Sequence, residues 1–262
     1  MWPFLEIAGI YFPVYNLMLA LGILAGVTQL FIAARRKRVM LQFLADNFLW
    51  LTLATVFCAR LAEVLLRNFP ILDFPFVWGE TAGFSFFGGA VGLLIMLTIL
   101  TRKYNENFFL WLDLILLAIA PALFFHHLGT FFAGSEYGKP TALPWGVVFT
   151  NPDAIGYSTI PLHPTQIYAA LATLGLFAAA CFIFKTTTRA GKAGTFLLLT
   201  LSTTYFFLDF LRGDSAPTFG PLRASQYFTL VFAVIAALLI IKIRLVAREE
   251  RRGELQIKTQ EQ

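Results

Sequence analysis

Arg60 lies inside an apolar run three residues before Glu63, and Arg212 ends another apolar run three residues after Asp209. An arginine at the centre of a membrane helix costs about 2.5–3.5 kcal/mol on insertion scales, so it normally has a partner or a task. The i, i+3 spacing lets each pair meet on one helix face. Two readings follow: an ion pair that only makes the arginine tolerable, or a charge kept for function. The second is favoured for Arg212, because Gly213 and Asp214 open a loop directly after it. The three histidines, His126, His127 and His163, fall in the same half of the topology. His163 and Pro164 suit the N-cap region and first turn of a helix, so a lone His163 reads as structural or interfacial before it reads as chemical. In "HHLGTFFAGSEYGKPT", Gly129, Gly134 and Gly138 punctuate a turn-rich segment whose exposed N–H groups could hold an anion. Gly88 and Gly92 have the spacing that lets helix backbones approach closely, and with Gly89 they would also leave bare backbone for a lipid headgroup. Asp113 is an intramembrane carboxylate, either functional or a helix-to-helix hydrogen-bonding group. Cys58 and Cys181 lack CxxC spacing and the histidines lack metal-ligand spacing, so neither metal nor cofactor is expected.

The elements that must position these residues are membrane helices. The chain is 58% hydrophobic and 13% charged, against roughly 25% charged in a soluble domain. Stretches near the roughly 20 residues a span needs recur at about 14–34, 44–66, 84–101, 108–126, 166–184, 195–211 and 225–243. The expectation is an all-α integral membrane protein of seven transmembrane helices, one polytopic domain over residues 1–262. Of the 20 basic residues, fifteen fall in alternate connections, beginning with Arg35–Arg38, and five do not: Arg60, Arg67, Lys139, Arg212 and Arg223. Positive residues are retained in the cytoplasm. The N-terminus and a head loop at about 127–165, between the fourth and fifth spans, are therefore expected outside, and the tail at about 245–262 inside and frayed. The first span, followed rather than preceded by its basic cluster, reads as a retained anchor. The net charge of +5 sits between apolar runs and reads as topology, which excludes nucleic acid as the partner.

Several separated segments, "VYNLM", "CARLAEVLLRNFP", "VWGETAGFSFFGGAVG", "HLGTFFAGSEYGK", "HPTQIY", "FLDFLRGD" and "SQ", together resemble the phosphatidylglycerol–prolipoprotein diacylglyceryl transferase family over nearly the whole chain. The resemblance implies a seven-helix enzyme of the bacterial inner membrane. Its partners would be phosphatidylglycerol and prolipoprotein signal peptides with a lipobox cysteine, whose thiol receives diacylglycerol as glycerol phosphate is released. By the same resemblance Arg212 matches the family's essential arginine, and Arg60 matches an arginine of the second span. Gly88 and Gly89 match a glycine pair, Gly129, Gly134 and Gly138 the signature loop, His163, Pro164, Gln166 and Tyr168 the HPxQxY motif, and Tyr15 the tyrosine of the first span. Four positions depart: Phe87 stands for the histidine before the glycine pair, His127 for the signature arginine that contacts lipid, Thr130 for an asparagine and Ala169 for an acid.

The implied reaction needs a base to make thiolate and cations to hold phosphate. The expected catalytic residues are His127 for acid–base work, Arg212 as a bidentate phosphate partner and His163 in reserve, with His126 a membrane-interface residue. Arg60, Tyr15, Gly88, Gly89, Gly129, Gly138, Gln166 and Tyr168 are the expected substrate-binding residues. Phe87 favours a second class, a catalytically inactive lipid- or lipoprotein-binding membrane protein on the same scaffold. An intramembrane serine protease fits less well, because Ser85 and Ser135 lack a GxSG setting. The sequence shows no repeat of the kind many transporters carry.

Overall fold

The computed structural model describes residues 3–7, 9–66, 84–214 and 220–260; Arg67 and positions 77–83 of the glycine-pair segment lie outside them. A two-stranded antiparallel hairpin, β1 (Phe4–Ile7) and β2 (Ile10–Pro13), precedes seven helices. These are α1 (Val14–Lys37), α2 (Gln42–Leu66), α3 (Phe86–Lys103), α4 (Phe108–Ala133), α5 (Thr165–Thr186), α6 (Lys192–Leu208) and α7 (Ala224–Gln260). Six of them, all but α6, are long and apolar enough to cross a membrane. Only 17–33% of each apolar stretch is buried in the protein, and large side chains such as Leu24, Phe182 and Val234 face outward. In water such a surface would be an aggregation liability; against lipid tails it is solvated.

Three boundaries differ from the sequence expectation. The hairpin precedes the first helix; Gly9, at φ 79°, supplies the left-handed turn residue between its strands. Helix α4 runs on to Ala133 instead of ending near residue 126, so His126, His127, Gly129 and Thr130 are helical and the head between α4 and α5 covers 134–164. Helix α7 continues through the charged tail, whose Arg, Glu and Lys residues are good helix formers; Glu250 pairs with Arg189 at 3.0 Å.

The chain divides into two compact units, residues 1–33 with 112–262, and residues 34–111. In the second unit α2 and α3 meet along small residues. A Cβ at Gly88 would run into Ala62 and the Cys58 carbonyl, one at Gly92 into the Ala54 carbonyl, and one at Gly89 would press on Thr55 at 3.3 Å. Ser85 caps α3 by accepting from Gly88 N–H at 3.3 Å. Arg60 is buried on α2. In the first unit Gly22 and Gly26 bring α1 onto α4 at Ala122 and Ala118, α5 packs on α6, and α6 on α7. Asp113 accepts from Gly191 N–H at 2.7 Å and from Gly194 N–H at 2.5 Å, so it closes the N-terminus of α6 from the side of α4. The head has its own small core of Phe149, Ala154 and Leu162, with the Phe149 ring 6.2 Å from that of Phe131 on α4.

Candidate active site

The site is assembled where α4 ends. Gly134, at φ 70°, terminates the helix: its N–H donates to Phe131 O at 3.2 Å and Ser135 N–H to Thr130 O at 3.0 Å, the paired bonds of a Schellman ending. The chain then turns through Glu136, which has φ 57° without being glycine. Such a backbone costs about 1–3 kcal/mol and persists only where its surroundings fix it. The start of α5 does so. Thr165 Oγ1 donates to Glu136 O and Gln166 Nε2 to Ser135 O, each at 2.5 Å. Gln166 and its neighbour therefore hold the turn that aims the Glu136 carboxylate.

The same loop is stitched to the chain leaving α6. Lys139 N–H donates to Leu211 O at 2.8 Å and Gly213 N–H to Tyr137 O at 2.9 Å, which brackets a bridge between Gly138 and Arg212. His163 also closes on this strand, accepting from Gly138 N–H at 2.9 Å and donating its own N–H to Lys139 O at 3.0 Å. A Cβ at Gly138 would collide with His163, so glycine is required here for close approach.

Three side chains converge on Glu136. Its Oε1 is 3.5 Å from Arg212 Nη1 and its Oε2 is 3.8 Å from His127 Nδ1. Burial pushes the Glu136 carboxyl up, but the His127 ring and the Arg212 guanidinium, with His126 behind them, outweigh it and hold the group down from 4.5 to about 2. For Arg212 burial works against the charge, but Asp214, Glu136 and Asp209 more than compensate and raise its pKa. The expected Asp209 pairing is present at 3.7 Å, yet the closer partner is Asp214, which accepts from Nε at 3.0 Å and from Nη2 at 2.7 Å.

His127 is 7% exposed. Its Nε2 is 2.9 Å from Tyr205 Oη, which in turn lies 2.9 Å from Thr173 Oγ1, while its buried Nδ1 has no hydrogen-bond partner among the described residues. Almost all buried polar atoms are paired, so an imidazole nitrogen fixed on one side and left open on the other, toward a carboxylate, is equipped to exchange a proton with an incoming group. His126 Nδ1 lies 3.2 Å from Tyr15 Oη, and Gly129 lets α4 approach Tyr15 and Met18 of α1. Ligand atoms of His126, His127 and Glu136 lie within 4.8 Å of one another, a donor set that could hold a metal ion and that sequence spacing did not reveal. A dication there would face the Arg212 guanidinium across the same carboxylate, and of the two imidazoles His126 already meets Tyr15 through Nδ1 while His127 keeps Nδ1 open.

Of the expected residues, His127, Arg212, Gly129, Gly138, Gln166 and Tyr15 thus meet in one neighbourhood. The His163 ring turns to Tyr168, 3.3 Å from its Oη, which also accepts from Trp145 Nε1 at 2.7 Å. Arg60, Gly88 and Gly89 belong to the 34–111 unit. Sequence reasoning missed Glu136, Asp214, Tyr205 and Thr173. The one signal for Glu136 was its place between Gly134 and Gly138 in a loop that already read as functional.

The sequence profile of the family described as "Prolipoprotein diacylglyceryl transferase" matches residues 3–242. The chain is 28% identical over 239 residues to the phosphatidylglycerol–prolipoprotein diacylglyceryl transferase of Clostridium tetani, covering 91% of this chain and 95% of that protein. It is 25% identical to the enzyme of the same name from Finegoldia magna, covering 91% and 94%, and 28% identical to that of Tolumonas auensis, covering 91% and 92%.

Proposed function

The chain belongs to the prolipoprotein diacylglyceryl transferase family, and from that premise we propose that it moves the diacylglyceryl group of phosphatidylglycerol onto the lipobox cysteine thiol of an exported prolipoprotein. The observation that carries the reading is the His127–Glu136–Arg212 cluster: an imidazole with an open nitrogen and a guanidinium, both placed by one carboxylate. The thiol gives its proton to His127 beside the anionic Glu136. Sulfur then bonds to the glyceryl carbon as the carbon–oxygen bond breaks, and the electron pair leaves on the phosphate oxygen, where Arg212 stabilises the charge. Tyr205 and Thr173 fix the imidazole from behind, and His163 is the reserve acid–base group.

Tyr15 and Gly129 flank the imidazoles, Gly138, Gln166 and Tyr168 shape the head, and Arg60, Gly88 and Gly89 are assigned to substrate binding on family resemblance. The reaction requires exported substrates. The positive-residue bias accordingly assigns the N-terminus and the 134–164 head to the outer side of the bacterial inner membrane, and the Arg35–Arg38 loop and the C-terminal tail to the cytoplasm. Reporter fusions placing the head in the cytoplasm would overturn this orientation and the outer-face site with it. Phe87, standing where the family resemblance expects histidine, supports a second reading, an inactive lipid- or lipoprotein-binding protein. Purified protein in phosphatidylglycerol bilayers, given a lipobox peptide, decides between them: transfer of diacylglycerol supports the enzyme, and lipid binding without transfer supports the second reading.

A further inference from the structure

Asp214 sets both carboxylate oxygens along one edge of the Arg212 guanidinium, the fork geometry that a phosphate uses equally well. A second guanidinium converges on the same group. Arg223 Nη1 lies 3.5 Å from Asp214 Oδ1, and Arg223 Nη2 donates to the Arg212 carbonyl at 2.6 Å. Gln226, almost fully buried, fixes this corner by accepting from Arg223 N–H at 2.9 Å and donating to Phe206 O at 3.2 Å. Beside the two arginines is a cavity of about 350 Å³, walled in part by Lys139, Asp209, Arg212, Arg223 and Gln226. Three cations and one carboxylate line it, so its chemistry suits a small anion.

We propose that this cavity is the seat of a glycerol phosphate headgroup, that Arg223 is its second guanidinium, and that the Asp214 carboxylate, which pairs with both arginines without lining the cavity, is an internal competitor for them which the phosphate displaces. The inference rests on the proposed function for the glycerol part of the ligand and deepens it. Displacement sets the affinity: the headgroup must outcompete a carboxylate already tethered to the loop, which keeps the arginines paired between turnovers and lets the phosphate product leave.

The test is a binding titration of the full chain in detergent, with glycerol phosphate, inorganic phosphate and glycerol as probes and thermal stabilisation as the readout. Phosphatidylglycerol vesicles form a separate arm that distinguishes lipid-borne from free phosphate. Glycerol phosphate is expected to stabilise the unaltered protein and glycerol is not; equal effects would refute an anion seat. Arg223→Gln should weaken glycerol phosphate binding about tenfold, with Arg223→Lys in between, and in turnover should raise KM for phosphatidylglycerol more than it lowers kcat. Asp214→Asn should tighten binding several-fold, because it removes the charge that competes for the arginines. If Asp214 is only a loop staple, Asp214→Asn weakens binding in parallel with Arg223→Gln, and the inference fails. The binding arms need no turnover: a protein that binds glycerol phosphate and never transfers refutes the proposed reaction alone, and an active protein indifferent to Arg223 and Asp214 refutes this inference alone.

Discussion

Helix α4 has a carboxylate near its start and another just beyond its end, and the two are used in opposite ways. Asp113 is 1% exposed, and its oxygens receive backbone N–H groups from the N-cap Gly191 and from Gly194 in the first turn of α6, so it behaves as a cap supplied by another helix. Glu136 is 29% exposed at its side chain, sits on a left-handed backbone and stands between a guanidinium and an imidazole, with its distances of 3.5 and 3.8 Å both longer than a hydrogen bond. A carboxylate whose oxygens are filled by main chain holds the fold together. One that is fixed in place and only partly filled leaves capacity for a substrate.

The contrast can be broken by measurement. The largest effect is expected at His127, where His127→Ala should reduce diacylglyceryl transfer about 10²- to 10⁴-fold, the usual contribution of a positioned general base. Full activity in His127→Ala would remove it from the mechanism, activity restored by His127→Arg would show that it only holds phosphate, and a comparable loss in His163→Ala would shift the acid–base role there. Arg212→Lys comes next, with a loss of about 100-fold despite retained charge, because an ammonium cannot make the bidentate fork; unchanged lipid binding and turnover would refute the assignment. The two carboxylates should then separate. Glu136→Gln is expected to lower the activity per folded molecule about tenfold, whereas Asp113→Ala should cost about 2–4 kcal/mol of stability and leave the activity per folded molecule intact. If the two losses are interchanged, the distinction drawn between the ends of α4 is wrong. A further effect is in acid. With its pKa held at about 2 in the fold against 4.5 ordinarily, Glu136 contributes stability that is full above about pH 4.5 and lost as pH falls toward 2. Glu136→Gln should flatten that part of the stability curve.

Much of this was legible in the sequence because membrane insertion makes polar residues conspicuous. Arg212 stood out by its cost in an apolar run, the Gly88 and Gly92 spacing predicted close packing that α2 and α3 display, and Asp113 was read as either functional or helix-bridging, of which the structure selects the second. The end of α4 was less legible, since polarity at His126 and His127 looks like the edge of a span although nothing there breaks a helix before Gly134. Glu136 was invisible for a different reason. An acid in a Gly-rich loop reads as solvated, and only the hydrogen bonds from Thr165 and Gln166, with the bridge between Gly138 and Arg212, bring positions 127, 136 and 212 to one place. The hairpin was missed because strands of four residues offer too little periodicity to register.

Helix α6 has 17 residues and rises about 25 Å, short of the roughly 30 Å of hydrocarbon in a bilayer. A membrane meeting so short a helix thins around it or admits water and headgroups along it, and the residues at its C-terminal end are Asp209 and, one turn later, Arg212. With α6 spanning in the orientation we propose, the arginine would stand below the level at which phosphates ordinarily float. Depth would then be a selective variable: a lipid whose phosphate sinks by a few ångströms would meet a guanidinium, and one that stays at the plane of its neighbours would not.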